Sequence, residues 1–309
     1  MRPSPLVIFL IVSLIWGLTW MAIKIGVAAV PPFFFAALRF IAAGGLLLAI
    51  MATRVNWQGL RREWRAVVGV SMLITTFSYG PTFWGVQHTA SGVAAVINMS
   101  MTPLMLFVIG VMLGAERFDR RKLSGVLIGI VGLVLLFWPE LQSDAHTEAL
   151  SLAALLTGTT VYCLGSVLSG RVLRGLDTVS VSGAVMLIGG LGLAVLSALF
   201  ETVTAGTFAA LLEPAPFVSL VFLTLGGSIV AFTLFLYLLR VWGPTRAGLF
   251  AFVSPVVALI TGALALGERI DPLQALGAAV LIGAAAFTVG RDALRTSSTL
   301  AAPLDQGDR

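Results

Sequence analysis

Arg39 is the one charged residue set inside an apolar stretch of this chain, 33–51, and its chemistry is specific. A guanidinium carries five N–H donors in a planar fork and can grip a carboxylate with two of them at once. Placing it at a bilayer centre costs at least about 2.5–3.5 kcal/mol on insertion scales, so it must face a wet cavity or the inside of a helix bundle. It lies about 9 Å below the start of a helix beginning near residue 33, at 1.5 Å of rise per residue. Such an arginine either binds a substrate carboxylate or fixes helix packing through backbone carbonyls and loop acids.

Trp16 and Trp20 are one turn apart, so a helix presents both on one face. Trp16 falls near the middle of its apolar run, where its indole N–H needs a partner that lipid cannot supply. Tyr79, Asn98, Thr102, Tyr162 and Phe232 complete, with Arg39, a candidate substrate-binding set. Aromatic faces and neutral hydrogen-bonding groups around a single cation suit small zwitterions or neutral metabolites better than polyanions. Each polar member is also ordinary glue between membrane helices, worth about 0.6 kcal/mol. Trp57, Trp64, Trp84, Trp138 and Trp242 sit at or beyond the ends of apolar runs, where an interfacial belt accounts for them. Pro103 and Pro255 lie inside such runs, and a proline frees a carbonyl one turn back and bends the helix, which makes them candidate gating kinks.

Other chemistries are poorly provided for. No acidic residue and no histidine falls inside an apolar run, which disfavours a carboxylate proton relay. The single Cys163 excludes an intramolecular disulfide. The sequence has no Walker A motif for ATP, no His/Glu cluster for zinc and no nucleophile–base constellation, so no cofactor, no metal and no enzymatic activity are expected.

The elements that must position these residues follow from composition. Of the 309 residues 58% are hydrophobic and 11% charged, with a mean hydropathy of +1.02. Soluble proteins carry roughly 25% charged residues, so the chain reads as an all-α integral membrane protein. Apolar runs of about 20 residues predict ten transmembrane helices at 6–23, 33–51, 66–86, 92–113, 123–138, 150–169, 179–199, 217–239, 247–266 and 273–290. Lipid offers no partner to open backbone, and the runs lack the alternation of a membrane barrel.

The net charge of +5 is then topogenic. With the N-terminus cytoplasmic, the connections on that side hold Arg2, Arg54, Arg61, Arg62, Arg65, Arg117, Arg120, Arg121, Lys122, Arg171, Arg174, Arg240, Arg246, Arg291, Arg295 and Arg309, against Lys24 and Arg269 outside. That bias places both termini in the cytoplasm and argues against nucleic acid as a partner.

Displacing the sequence by 152 residues pairs Ala95 with Ala247, Pro103 with Pro255, Gly110 with Gly262, Gly125 with Gly277, and Glu116-Arg117-Phe118-Asp119 with Glu268-Arg269-Ile270-Asp271. Two repeats of five helices, 1–140 and 149–291, followed by a disordered cytoplasmic tail, 292–309, are expected. An odd number of helices per repeat inverts the second against the first, as in secondary transporters with a midplane site. Gly125-x-x-x-Gly129 permits a close helix contact, with a neighbouring helix or a second subunit.

Trp16-Gly17, Ala37-Leu38-Arg39-Phe40, a proline in the fourth and ninth runs, and Gly-Ala-Glu-Arg or Gly-Glu-Arg after each carry a resemblance. In this order the chain resembles the EamA family of the drug/metabolite transporter superfamily over residues about 6–290. Tyr162-Cys163 is similar to a segment of the YddG-type aromatic amino-acid exporters, although Thr159 stands where those usually have a tryptophan. The resemblance implies a bacterial inner-membrane permease, often an exporter of amino acids or other small metabolites, with a small-molecule substrate and the lipid bilayer as partners. A nucleotide-sugar or phosphate-ester carrier of the same superfamily would need several cations in its cavity, and only Arg39 and Lys24 qualify. A membrane assembly protein or intramembrane enzyme is the reading from a different class.

Overall fold

A computed structural model describes residues 4–88, 91–138, 149–266 and 271–299, and all regular structure among them is helical. In chain order the long helices are α1 Pro5–Ala29, α2 Pro32–Ile50, α3 Trp64–Gln87, α4 Ser91–Met112, α5 Arg120–Leu136, α6 Ala149–Gly175, α7 Thr178–Phe200, α8 Pro214–Trp242, α9 Phe250–Leu266 and α10 Pro272–Thr299. Seven of them, α1, α2, α3, α6, α7, α8 and α10, are long and apolar enough to cross a membrane. Large apolar side chains such as Leu10, Leu14, Met21, Ile50 and Leu199 are exposed on their outer faces, as a protein solvated by lipid requires.

Local chemistry sets the helix starts. Ser4 caps α1 by accepting from Val7 N, with Pro5 at the first helical position. Asp119 caps α5 and Asp177 caps α7, each carboxylate accepting a first-turn N–H at 2.8 Å. Several helices overrun the apolar runs: α6 continues to Gly175 and α1 to Ala29. The segment expected as a disordered tail begins inside α10, which stays helical through Thr299 because Arg291–Arg295 contains no helix breaker. The motif copy at 268–270, the external acids Glu140, Asp144 and Glu148, and residues 300–309 lie outside the described residues.

Packing is organised in related pairs. α2 packs most extensively on α7 and α5 on α10, while α3 and α4 pack on α6 as α8 and α9 pack on α1. The Gly125/Gly129 pair is used within the chain: a Cβ at Gly125 would run into Thr288 of α10, and one at Gly129 into Phe252 of α9. Both α3 and α8 contain a π-helical stretch, Met72–Thr76 and Leu223–Phe232. Adding 152 to the first places it within the second. A π turn widens the helix and re-aims the groups on it, a device that recurs at functional sites.

Candidate functional site

A cavity lies between α1, α2, α3, α4, α6 and α9, and the π-helical stretch of α8 stands behind it, bonded to two residues of its wall. Ser228 Oγ accepts from Arg39 Nε at 2.8 Å, and the neighbouring Gly227 carbonyl accepts from Trp16 Nε1 at 3.1 Å. The widened turn thus presents a hydroxyl and a carbonyl side by side to two different helices. Gly227 leaves room for this approach, since a Cβ there would stand 3.1 Å from Arg39 Nη2 and 3.2 Å from Thr19 Cγ2, tighter than ordinary contact. Trp16 obtains the interhelical partner that its depth in the membrane demands.

Arg39 is 2% exposed, and its Nη1 is buried with no hydrogen-bond partner. Among the described residues the one ion pair is Lys122–Glu116, so no carboxylate neutralises Arg39. The guanidinium carbon lies 4.8 Å from the ring centre of Phe40 and 5.6 Å from that of Tyr79. π faces compensate a desolvated cation only in part. The alternative expected for Arg39, bonding to carbonyls and loop acids, is not what the structure shows: its partner is a hydroxyl, and its fork keeps unused donors.

Aromatic rings continue from there across the bundle. Tyr79 meets Phe40 at 4.7 Å and Tyr162 at 6.3 Å between centroids; Tyr162 stacks on Phe235 at 6.0 Å, and Trp16 meets Phe235 at 5.0 Å and Phe250 at 4.3 Å. The cavity above these rings has a volume of about 80 Å³. That is far below the range of a drug-sized site.

The structure brings Trp16, Trp20, Arg39, Tyr79, Asn98, Thr102 and Tyr162 together on the wall of this one cavity. Phe232, in the same π stretch as Ser228, is 2% exposed and does not line it. Pro103 and Pro255 are buried but do not line it either. Phe250 does, and sequence reasoning missed it, although the displacement of 152 pairs it with Asn98. Phe235 and the Gly227 carbonyl were also missed. A backbone acceptor has no signature in a sequence.

Glu116, just after α4, is the centre of a second polar cluster away from the cavity. Its carboxylate is 5% exposed and accepts from Lys122 Nζ at 3.0 Å, from Thr245 N at 3.0 Å and from Thr245 Oγ1 at 2.5 Å. These bonds tie the end of α4 to the short helix Pro244–Gly248 ahead of α9. The turn into that helix passes through Gly243 at φ +80°, left-handed backbone that favours glycine. Glu201 caps α2, accepting from Phe33 N at 2.7 Å and Phe34 N at 2.8 Å, and Lys24 Nζ donates to Val86 O at 3.0 Å. Among the described residues no cluster of three or more His, Cys, Asp or Glu could hold a metal ion.

The sequence model of the EamA-like transporter family matches residues 4–138 and again 149–290. The chain is 29% identical over 297 residues to the inner membrane transporter YedA of Escherichia coli K12, covering 95% of this chain and 93% of that protein. It is 27% identical over 273 residues to the transporter YoaV of Bacillus subtilis 168, covering 87% and 91%. A solved crystal structure shares the fold with a TM-score of 0.76 at 22% identity, covering 96% of this chain and 99% of that one.

Proposed function

The chain belongs to the EamA-like transporter family, a membrane transporter of the drug/metabolite superfamily, and on that premise we propose that it is an inner-membrane permease for amino acids or similar small metabolites. Ten spans in two inverted repeats, 1–140 and 149–291, with both termini cytoplasmic, rock against each other around the cavity at Arg39. The twofold family match, the related packing pairs and the π stretches at equivalent repeat positions support that architecture.

The observation that carries the reading is Arg39 itself: a buried guanidinium with an unpartnered Nη1, on the wall of an aromatic cavity with no acidic residue among the described residues that line it. A substrate carboxylate supplies the missing acceptor and charge. The aromatic rings exclude water around it, and in a low-dielectric surround the pairing strengthens. The Glu116 bonds lie on the face rich in arginine, expected to be cytoplasmic, and hold that side shut while the cavity is occupied from the other. Export is the direction that the family resemblance favours.

The test is counterflow in proteoliposomes reconstituted with the purified chain. Vesicles preloaded with one amino acid should accumulate its labelled form saturably, and Arg39→Gln should abolish the accumulation. Equal flux in protein-free vesicles, or chemical conversion of the label, rules the permease reading out.

A further inference from the structure

The hydroxyl groups on the cavity wall share a polarity. Thr19 Oγ1 donates to Trp16 O at 2.8 Å, Ser78 Oγ to Ile74 O at 2.5 Å, Thr82 Oγ1 to Ser78 O at 2.8 Å and Thr102 Oγ1 to Asn98 O at 2.7 Å. A hydroxyl has one proton and two lone pairs. With each proton committed to a carbonyl of its own helix, all four present lone pairs to the cavity.

Asn98 is constrained in the same direction. Its side chain meets Thr159 Oγ1 at 2.9 Å, and Thr159 Oγ1 already donates its proton to Leu155 O at 2.8 Å. Thr159 can therefore only accept from Asn98, so the contacting atom is Nδ2, and the amide orientation, ordinarily ambiguous, is decided by the network. Oδ1 is left to the cavity, whose wall Asn98 joins. Against these acceptors stands Arg39, which can only donate, with the phenol groups of Tyr79 and Tyr162 as the bifunctional members of the wall.

We propose that Asn98 Oδ1, held by Thr159, is the specificity-determining acceptor of this cavity, and that with the four hydroxyls it selects substrates that pair the anionic group bound at Arg39 with a hydrogen-donating pole, foremost a primary ammonium. A second carboxylate or a phosphate would meet these five acceptors, with only the phenols of Tyr79 and Tyr162, the indole N–H of Trp20 and the second N–H of Asn98 to donate to it, and is disfavoured. The rings of Trp16, Tyr79 and Phe250 add π faces to the ammonium side. This assignment rests on the reading of Arg39 as the anion anchor.

Counterflow with matched pairs tests it: alanine, leucine and phenylalanine against propionate, 4-methylpentanoate and 3-phenylpropanoate, with malonate as the dianion. The native chain should favour the amino member of at least one pair by about tenfold or more, the scale of one hydrogen bond to a charged group. Asn98→Leu should bring that ratio toward one. Thr159→Val, which removes the group orienting the amide and keeps the side chain's shape, should lower it as well, and melting temperatures in detergent confirm that both variants fold. A ratio near one in the native chain, a ratio unmoved by both substitutions in folded protein, or preference for malonate overturns the assignment. If the flux is Arg39-dependent but blind to the amino group, this inference alone fails; if neither series is carried, the permease reading fails with it.

Discussion

Arg39 on α2 and Ser228 on α8 meet at 2.8 Å across 189 residues of sequence, and this hydrogen bond holds the guanidinium at the edge of the cavity with one of its nitrogens unpartnered. Its two halves differ in worth. Hydrogen bonds between membrane helices average about 0.6 kcal/mol, so Ser228→Ala should raise KM for counterflow by only a few-fold. Arg39→Lys keeps the charge but loses the planar fork and should cost at least tenfold in kcat/KM. Equal effects of the two substitutions would mean that Arg39 serves packing alone.

Gly227→Ala tests the close approach. The added methyl group would stand 3.1 Å from Arg39 Nη2 and 3.2 Å from Thr19 Cγ2, tighter than ordinary contact, so the guanidinium must move. A shift of a few tenths of an ångström suffices, so a loss of flux of about a few-fold is expected, with membrane abundance near that of the native chain. Gly283, which has open space at its Cβ, is the control, and Gly283→Ala should leave flux within twofold.

Trp16 combines ring packing with a hydrogen bond, and two variants separate them. Trp16→Phe keeps an aromatic ring against Phe235 and Phe250 but deletes the bond to Gly227 O; Trp16→Ala deletes both. Trp16→Phe should retain abundance and lose part of the flux, whereas Trp16→Ala should lose nearly all flux and also lower the melting temperature, since aromatic-to-alanine changes in a packed core cost about 3–5 kcal/mol. Full activity of Trp16→Phe would assign the bond no role.

The Glu116 bonds make a prediction that the native cysteine can report. Cys163 is buried beside Leu106 and Val167, and its thiol donates to Thr102 O at 3.6 Å. Glu116→Gln removes an acceptor for Lys122 and Thr245 Oγ1 and keeps one for Thr245 N. A charge-assisted bond contributes about 1.5–3 kcal/mol, so the closed state should lose enough population for a membrane-permeant maleimide to modify Cys163 about tenfold faster than in the native chain. An unchanged rate would show that these bonds do not hold the closed state.

Orientation is checked with the same thiol silenced. In a Cys163→Ala background, a cysteine at Arg117 should react with an impermeant maleimide only after the inner membrane is opened, and one at Thr202 should react in intact cells. The reverse pattern would invert the assigned topology.

Several features of this protein are fixed by its amino acids without a fold. Charge exclusion from apolar runs determines that the chain is an all-α membrane protein, because an unpaired charge in hydrocarbon costs several kcal/mol and an open backbone costs more. The scarcity of buried polar groups made Trp16, Arg39, Tyr79, Asn98, Thr102 and Tyr162 stand out, and they converge on one wall because a polar group in a membrane bundle has few places to go. What the sequence could not determine is how those groups are satisfied. Gly227 and Ser228 lie in the π stretch of α8, and only the packing of that stretch against α1 and α2 brings Gly227 O and Ser228 Oγ within reach of Trp16 and Arg39. Likewise Phe232 and Phe235 share helix α8, yet only Phe235 joins the aromatic chain beneath the cavity. Residue type sets which groups need partners, and only the tertiary structure decides which partner each one finds, because hydrogen bonds depend on positions a few tenths of an ångström apart and on protons already spent elsewhere.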